Sequence, residues 1–212
     1  MAKKNRTWSR KVESGIVSTY LAATPEDIDA GLHWYQLAHN EAELLSIRYG
    51  VTIEAAAGVI AAISPGSAWG RNVIDAGRFI AAFVTQSELP NVGVYGSDGR
   101  KKAERILAGE SPLDVLGGPK VRAFYADILN PLDTEAVTVD RHAKGLAYGY
   151  ASKRKGFASD DKLSSVKSWE NEYLAWHYRV IARRYDLIPS QLQAITWVAW
   201  KRINEGRGVA GE

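Results

Sequence analysis

Apolar positions recur every three to four residues along most of the chain, which is the spacing of amphipathic helices. The clearest predicted helix begins after Thr24, where a capping residue, a proline and two acidic residues precede a long periodic segment that the glycine at position 50 ends. Further helices are predicted over residues 52–63, 69–83, 100–107, 111–116, 120–129, 140–148, about 169–180 and about 189–203. Residues 137–139 are predicted to be extended, and residues 89–99 and 151–161 to be loops. The pattern therefore predicts an all-α fold of roughly ten helices.

The composition suits a folded protein with a substantial core. The chain has 212 residues, of which 46% are apolar and seven are Trp. This length allows a single helical unit over 1–212, or two lobes that share a core. The predicted lobes cover about 50–150 and, for the second, 1–49 with 160–205, and residues 206–212 are expected to be a flexible tail.

Several classes of protein are disfavoured by what the sequence lacks. It contains no cysteine, which removes disulfides, thiolate metal ligands and cysteine nucleophiles. The polar, basic N-terminus is not followed by the apolar run of a secretory signal, and the most apolar stretch, 55–63, is too short to cross a bilayer. We therefore expect a cytoplasmic protein without a membrane span.

The formal net charge of +3 is small, but the basic residues are clustered. The clusters are Lys3, Lys4, Arg6, Arg10 and Lys11; Arg100, Lys101 and Lys102; and Lys153, Arg154 and Lys155. Such clusters form either a phosphate-binding surface or an ordinary solvated face.

A glycine-containing corner between two predicted helices is the first candidate site. The glycines Gly117 and Gly118 allow another backbone to approach closely, and the N-terminus of the following helix favours anions. A DNA phosphate is a natural ligand, with Lys120 and Arg122 as cationic contacts. An ordinary helix–turn–helix corner can have the same composition.

A second candidate site follows in residues 137–142, where an apolar segment leads to Asp140 at the start of a helix. Together with the corner, this segment resembles the helix-hairpin-helix DNA glycosylase superfamily. In that superfamily a glycine hairpin and its lysine precede a Val-x-Val-Asp-x-His-like segment. The helix pair suggested by 59–64 and 73–77 resembles the pair before the hairpin, so the resemblance covers roughly 55–148.

The resemblance implies an all-α glycosylase-like fold around a shared cleft, with catalytic roles for two residues. Lys120 matches the hairpin lysine, whose amine attacks the sugar carbon, and Asp140 matches the catalytic aspartate. The alternatives are a phosphate contact for Lys120 and a helix N-cap for Asp140.

The sequence also departs from the common glycosylase pattern. The glycines are adjacent, no iron–sulfur ligands exist, and residues 64–72 replace the usual glutamine-rich motif. In this segment Trp69 is predicted to stack on a base, Arg71 to hold a phosphate and Asn72 to contact a base edge. Its alternative is a loop with a buried tryptophan.

These features, with the Gln-Ala-Ile-Thr-Trp segment of the last helix, resemble a phage-associated branch linked to thymine hypermodification. The branch includes glutamyl- or putrescinyl-thymine pyrophosphorylase-like proteins and is thought to replace the pyrophosphate of 5-pyrophosphoryloxymethyluracil in DNA with an amine or amino acid. The resemblance then implies a flipped base and a proton acceptor, either Asp140 or His142. The candidate cations around the leaving group are Arg71, Lys120, Arg141, His142 and Lys144.

The expected partners are double-stranded DNA and a small amine or amino acid, with no cofactor and no metal. Two alternatives stay open: a DNA glycosylase or lyase, and a noncatalytic helix-hairpin-helix DNA-binding protein. His142 also has a structural alternative, as a hydrogen-bonded helical residue. The three other histidines, His33, His39 and His177, are expected to be structural.

Overall fold

The computed structural model describes residues 2–94, 97–149 and 166–205, without the side chains of 2–8 and 205. These residues form ten α-helices and no strand, which confirms the all-α class. The helices are α1 Ala2–Leu21, α2 Pro25–Tyr49, α3 Ile53–Ile63, α4 Trp69–Val84, α5 Ser97–Leu107, α6 Pro112–Val115, α7 Pro119–Leu129, α8 Arg141–Tyr148, α9 Ser168–Arg184 and α10 Pro189–Glu205.

The helix boundaries follow local capping chemistry where the sequence supplies it. The Thr52 side chain accepts a hydrogen bond from the Ala55 N–H and opens α3, and Gly149, with φ 69°, ends α8. One of these boundary predictions needs correction. The loop expected over 89–99 ends earlier, because α5 begins at Ser97. The extended piece 137–139 pairs with no strand among the described residues, and all three of its side chains are buried.

The first unit combines Met1–Tyr35 with Leu132–Ala210. In it α1, α8, α9 and α10 pack against one another around a core that includes Tyr178, Leu174 and Val139. Two glycines allow close approach. A Cβ on Gly15 of α1 would lie 2.4 Å from the Leu146 carbonyl oxygen of α8, and one on Gly31 of α2 would lie 2.5 Å from Ile195 of α10. Helix α8 is therefore held against α1 at its C-terminal end.

The second unit is centred on Gln36–Pro131. Here α3 is the central helix and contacts α4, α5, α6 and α7. All residues of α3 from Ala56 to Ile63 are buried, and most are Ala or Gly, which lets the surrounding helices approach. The corner before α7 belongs to this unit.

The division differs from the predicted lobes at residues 36–49, which belong to the second unit, and at a segment that matters for function. The hairpin-bearing lobe was expected to extend to about residue 150, whereas residues 132–149 group with the terminal helices. The reason is packing, because α8 contacts α1, α9 and α10. The basic loop 151–161, including Lys153, Arg154 and Lys155, and the tail 206–212 lie outside the described residues.

No single helix in the described ranges has both the length and the hydropathy of a membrane span. The pair α2 and α3 would meet both criteria together, but it bends by 118° at its junction.

Candidate active site and glycine corner

Asp140 is the N-cap of α8, and this role follows from its position before a helix. Its Oδ1 accepts hydrogen bonds from the backbone N–H groups of His142 and Ala143 at 2.9 and 2.8 Å. The capping alternative considered for this residue therefore holds. Because the cap uses only Oδ1, the second carboxylate oxygen can take part in a different contact.

That second oxygen orients a histidine. Oδ2 of Asp140 lies 2.8 Å from Nδ1 of His142, and the two side chains are only 17% and 14% exposed. An ionised carboxylate can only accept a hydrogen bond, so neutral His142 carries its proton on Nδ1 and its basic lone pair on Nε2. Asp140 and His142 therefore form a capped, partly buried Asp–His pair.

Aromatic rings surround the imidazole of His142. The ring of Trp200 lies 5.2 Å away and that of Trp197 lies 6.2 Å away, centroid to centroid and both tilted steeply. Both tryptophans come from α10, three residues apart, so they share one helix face. Trp200 is buried, whereas Trp197 is partly exposed.

A buried ion pair joins the same helix to α9. Nζ of Lys144 lies 3.0 Å from Oε2 of Glu170, and both side chains are about nine-tenths buried. The same oxygen accepts the backbone N–H of Lys167 at 3.0 Å, which caps α9. Asn171 adds a weaker bond of 3.4 Å from its amide to the carbonyl of Val139. Together these contacts hold the start of α8 against the start of α9.

A second polar contact lies deeper in this unit. The hydroxyl of Tyr178 is 3.2 Å from the hydroxyl of Thr196. Burial raises the pKa of Tyr178 above its ordinary value, and the charge of Asp140 acts in the same direction. Tyr178 is therefore a neutral phenol at physiological pH.

The glycine corner lies in the second unit and is exposed at Gly117, Gly118 and Pro119. Gly118 has φ 75° and ψ 143°, a conformation that side-chain-bearing residues rarely adopt. Lys120, in the first turn of α7, has no ion-pair or hydrogen-bond partner within the described ranges. The Nε of Arg122 donates to the carbonyl of Leu116 at 2.7 Å. Arg122, predicted as a DNA contact, thus also links α7 to the residue that precedes the corner.

Residues 69–72, which were predicted to form a base pocket, make several contacts within the fold. Asn72 is 2% exposed, and its amide donates to the carbonyl of Ile60 at 3.1 Å. It is therefore not placed to contact a base edge, because its amide ties α4 to α3. Arg71 is exposed and pairs with Asp75 at 2.8 Å. Trp69 is partly buried, with its ring 6.4 Å from that of Phe124.

The predicted site residues fall into two groups. Asp140, Arg141, His142 and Lys144 lie together at the start of α8 in the first unit, where Arg141 is exposed. The corner residues and the segment around Trp69 lie in the second unit.

Sequence reasoning did not find Glu170, Trp197 and Trp200 as neighbours of the first group. Helical spacing alone assigned aromatic positions to the core, and Glu170 is separated from Lys144 by 26 positions. The available signal for Glu170 was its position three residues after the N-cap, Lys167.

The histidines outside the pair have structural partners. Nδ1 of His39 lies 3.0 Å from the Ile128 carbonyl oxygen, Nδ1 of His33 lies 2.9 Å from the Asp29 carbonyl oxygen, and Nε2 of His177 lies 3.4 Å from the Ser9 hydroxyl. In the part of the chain that the structure describes, no three His, Asp or Glu side chains converge as metal ligands would.

The described residues thus form an all-helical fold that carries a capped Asp–His pair and a glycine corner. The chain belongs to DUF7178, a family of unknown function whose profile matches residues 1–204. No curated protein and no solved structure matches the chain.

Proposed function

We propose that this protein is a DNA base-modifying transferase in which His142 deprotonates an incoming amine or amino acid. The amine nitrogen attacks the methylene carbon of 5-pyrophosphoryloxymethyluracil. A carbon–nitrogen bond forms, the carbon–oxygen bond to pyrophosphate breaks with its electron pair leaving on oxygen, and the amine proton passes to Nε2 of His142. The observation that carries the proposal is the 2.8 Å contact between Asp140 Oδ2 and His142 Nδ1.

That contact supports general-base chemistry for two reasons. It keeps the basic lone pair on Nε2, and the negative carboxylate stabilises the imidazolium that forms when the proton is taken. Asp140 is then a positioning residue, because its oxygens are engaged by the helix cap and by His142.

Cations close to the pair suit a pyrophosphate leaving group. Arg141 is adjacent to the pair and exposed, and it has no ion-pair partner in the described part of the chain. Lys144 is less suited to this role than predicted, because Glu170 already neutralises it. We therefore assign leaving-group stabilisation to Arg141 in the first unit.

The glycine corner is the proposed DNA contact. The exposed backbone before α7 and the Lys120 amine, which has no partner among the described residues, suit a phosphate of double-stranded DNA. The same amine favours a second candidate function, a glycosylase or lyase in which Lys120 attacks the sugar carbon.

The test uses the full-length protein, a duplex bearing one 5-pyrophosphoryloxymethyluracil, and a panel of amino acids and diamines. Release of pyrophosphate that requires both DNA and an amine, with the matching mass gain of the nucleoside, is the expected result. Release without amine and conversion to 5-hydroxymethyluracil contradict transfer. Abasic sites or a borohydride-trapped adduct at Lys120 favour the second candidate, and duplex binding with no chemistry favours a noncatalytic DNA-binding protein.

A further inference from the structure

A row of aromatic rings connects His142 with the surface of the first unit. The ring of Trp197 lies 6.2 Å from His142 and 6.2 Å from Trp34, at steep angles of 86° and 67°. The ring of Trp200 also contacts His142, with its centroid 5.2 Å from that of the imidazole. Trp200 is buried, but Trp34 and Trp197 are partly exposed. Trp197 therefore lies next to His142, and Trp34 lies on from Trp197 in the same row, with both indoles partly exposed.

The helices α2 and α10, which carry Trp34 and Trp197, contact each other closely next to these rings. Gly31 and Ile195 approach so closely that a Cβ on the glycine would lie 2.5 Å from the Ile195 backbone. The hydroxyl of Tyr35 also donates to the side chain of Gln193 at 3.0 Å, in the buried interior. These contacts join α2 and α10 next to Trp34 and Trp197, whose ring centroids lie 6.2 Å apart.

The side chain of Lys201 places a positive charge next to these rings. Nζ of Lys201 lies over the Trp197 ring, 4.3 Å from its centroid. Lys201 covers one face of Trp197, so a base would stack on the opposite face while the cation attracts a phosphate of the unstacked nucleotide.

We propose that Trp34 and Trp197 form the stacking site for the extruded pyrimidine, with its 5-substituent directed toward His142. This inference rests on the proposed function and names the residues that position its substrate. It replaces the base-stacking role predicted for Trp69, whose ring packs against Phe124 in the second unit. Trp34 and Trp197 are positioning residues, and Lys201 is the accompanying phosphate contact.

Extrusion can be measured without any chemical turnover. The probe is a duplex with one 5-hydroxymethyluracil and a 2-aminopurine beside it, whose fluorescence rises when its neighbour leaves the stack. We expect the wild-type protein to raise this fluorescence. Trp197→Ala should abolish the rise and weaken modified-duplex binding roughly 5- to 150-fold, which converts the ~1–3 kcal/mol of a base–aromatic stack at tenfold per 1.4 kcal/mol. Trp197→Phe should retain most of both signals.

The matched control is Trp176→Ala, which removes a 51% exposed tryptophan from α9 of the same unit. It should leave the fluorescence rise and the binding unchanged. Trp34→Ala provides a second test if Trp197→Ala fails to fold. A full fluorescence rise in both folded variants, or an equal loss in Trp176→Ala, overturns the stacking site.

Failure of this inference is distinguishable from failure of the proposed function. Pyrophosphate release that survives in Trp34→Ala and Trp197→Ala with an unchanged KM for DNA contradicts the stacking site and leaves the transferase intact. A Trp197-dependent fluorescence rise without pyrophosphate release in any variant supports the stacking site and contradicts the transferase.

Discussion

Asp140 contacts His142 twice, once through each carboxylate oxygen. Oδ1 accepts the backbone N–H of His142 at 2.9 Å, and Oδ2 lies 2.8 Å from the ring nitrogen Nδ1. One side chain thus begins α8 and sets the orientation of the imidazole. Capping and positioning are compatible roles because they use different atoms.

The two roles of Asp140 can be separated by substitution. Asp140→Asn retains an oxygen for the cap but lacks the charge that stabilises imidazolium, so the amine-dependent rate should fall about 10²–10⁴-fold, as with His142→Gln. Asp140→Ala should also lower the free energy of unfolding by about 1 kcal/mol, through loss of the cap. Amine-dependent pyrophosphate release and urea unfolding measure the two effects.

The control for this pair is Asp29→Asn, which changes another aspartate beside a histidine, His33, on an exposed helix face. It should leave rate and stability nearly unchanged. A full rate in Asp140→Asn would remove Asp140 from the mechanism.

Gly118 should matter for DNA binding because of its backbone conformation. With φ 75°, Gly118→Ala is strained even though nothing lies within 4 Å of the added Cβ. The strain should cost about 1–3 kcal/mol and distort the corner, weakening duplex binding. Gly109→Ala is the control, since it also has positive φ and open space. Equal losses of binding in both variants would show that the corner has no special role.

Lys120 should contribute one phosphate contact if the corner binds DNA. Lys120→Gln should then reduce the slope of log affinity against log salt concentration by about one. A fluorescence-anisotropy titration at several salt concentrations measures this slope. An unchanged slope assigns the phosphate contact to other residues.

Breaking the buried pair of Lys144 and Glu170 should be costly. Lys144→Met leaves the Glu170 carboxylate buried without its cation, and we expect a loss of about 3–5 kcal/mol in urea unfolding. The double change Lys144→Met with Glu170→Leu should recover most of it, because no charge is left buried. The control Lys102→Met breaks an exposed pair with Asp98 and should cost less than about 1 kcal/mol. No recovery in the double variant would mean that the pair stabilises the fold through more than charge balance.

Stability should fall in mild acid because of His177. Burial lowers the pKa of His177 below its ordinary 6.5. Below pH 6.5 the unfolded chain therefore binds a proton that the folded chain resists, and the free energy of unfolding falls as the pH falls. Urea unfolding between about pH 7.5 and about pH 5 measures the slope, which His177→Gln should reduce and His33→Gln should not. An identical slope in His177→Gln would assign the acid sensitivity to other groups.

Local chemistry determined much of the secondary structure from sequence alone. The bounds of α2 and α3, the cap at Thr52 and the position of Asp140 before α8 all follow from residues within one helical turn. The helix α1 is not among the predicted helices, although Val12, Ile16 and Tyr20 recur at helical spacing and the first two are buried. The burial of Asn72 was not predicted, because a polar side chain gives no indication of burial.

Contacts between distant segments were decided only by tertiary structure. Periodicity places Trp34 and Trp197 on amphipathic helices, but their 6.2 Å approach depends on how α2 packs against α10. The partner of Lys144 is likewise set by the packing of α8 on α9. The sequence by itself determined the bounds of helices such as α2 and α3, since capping and spacing are short-range effects. Which side chains meet depends on the packing of whole helices, and that involves the entire chain at once.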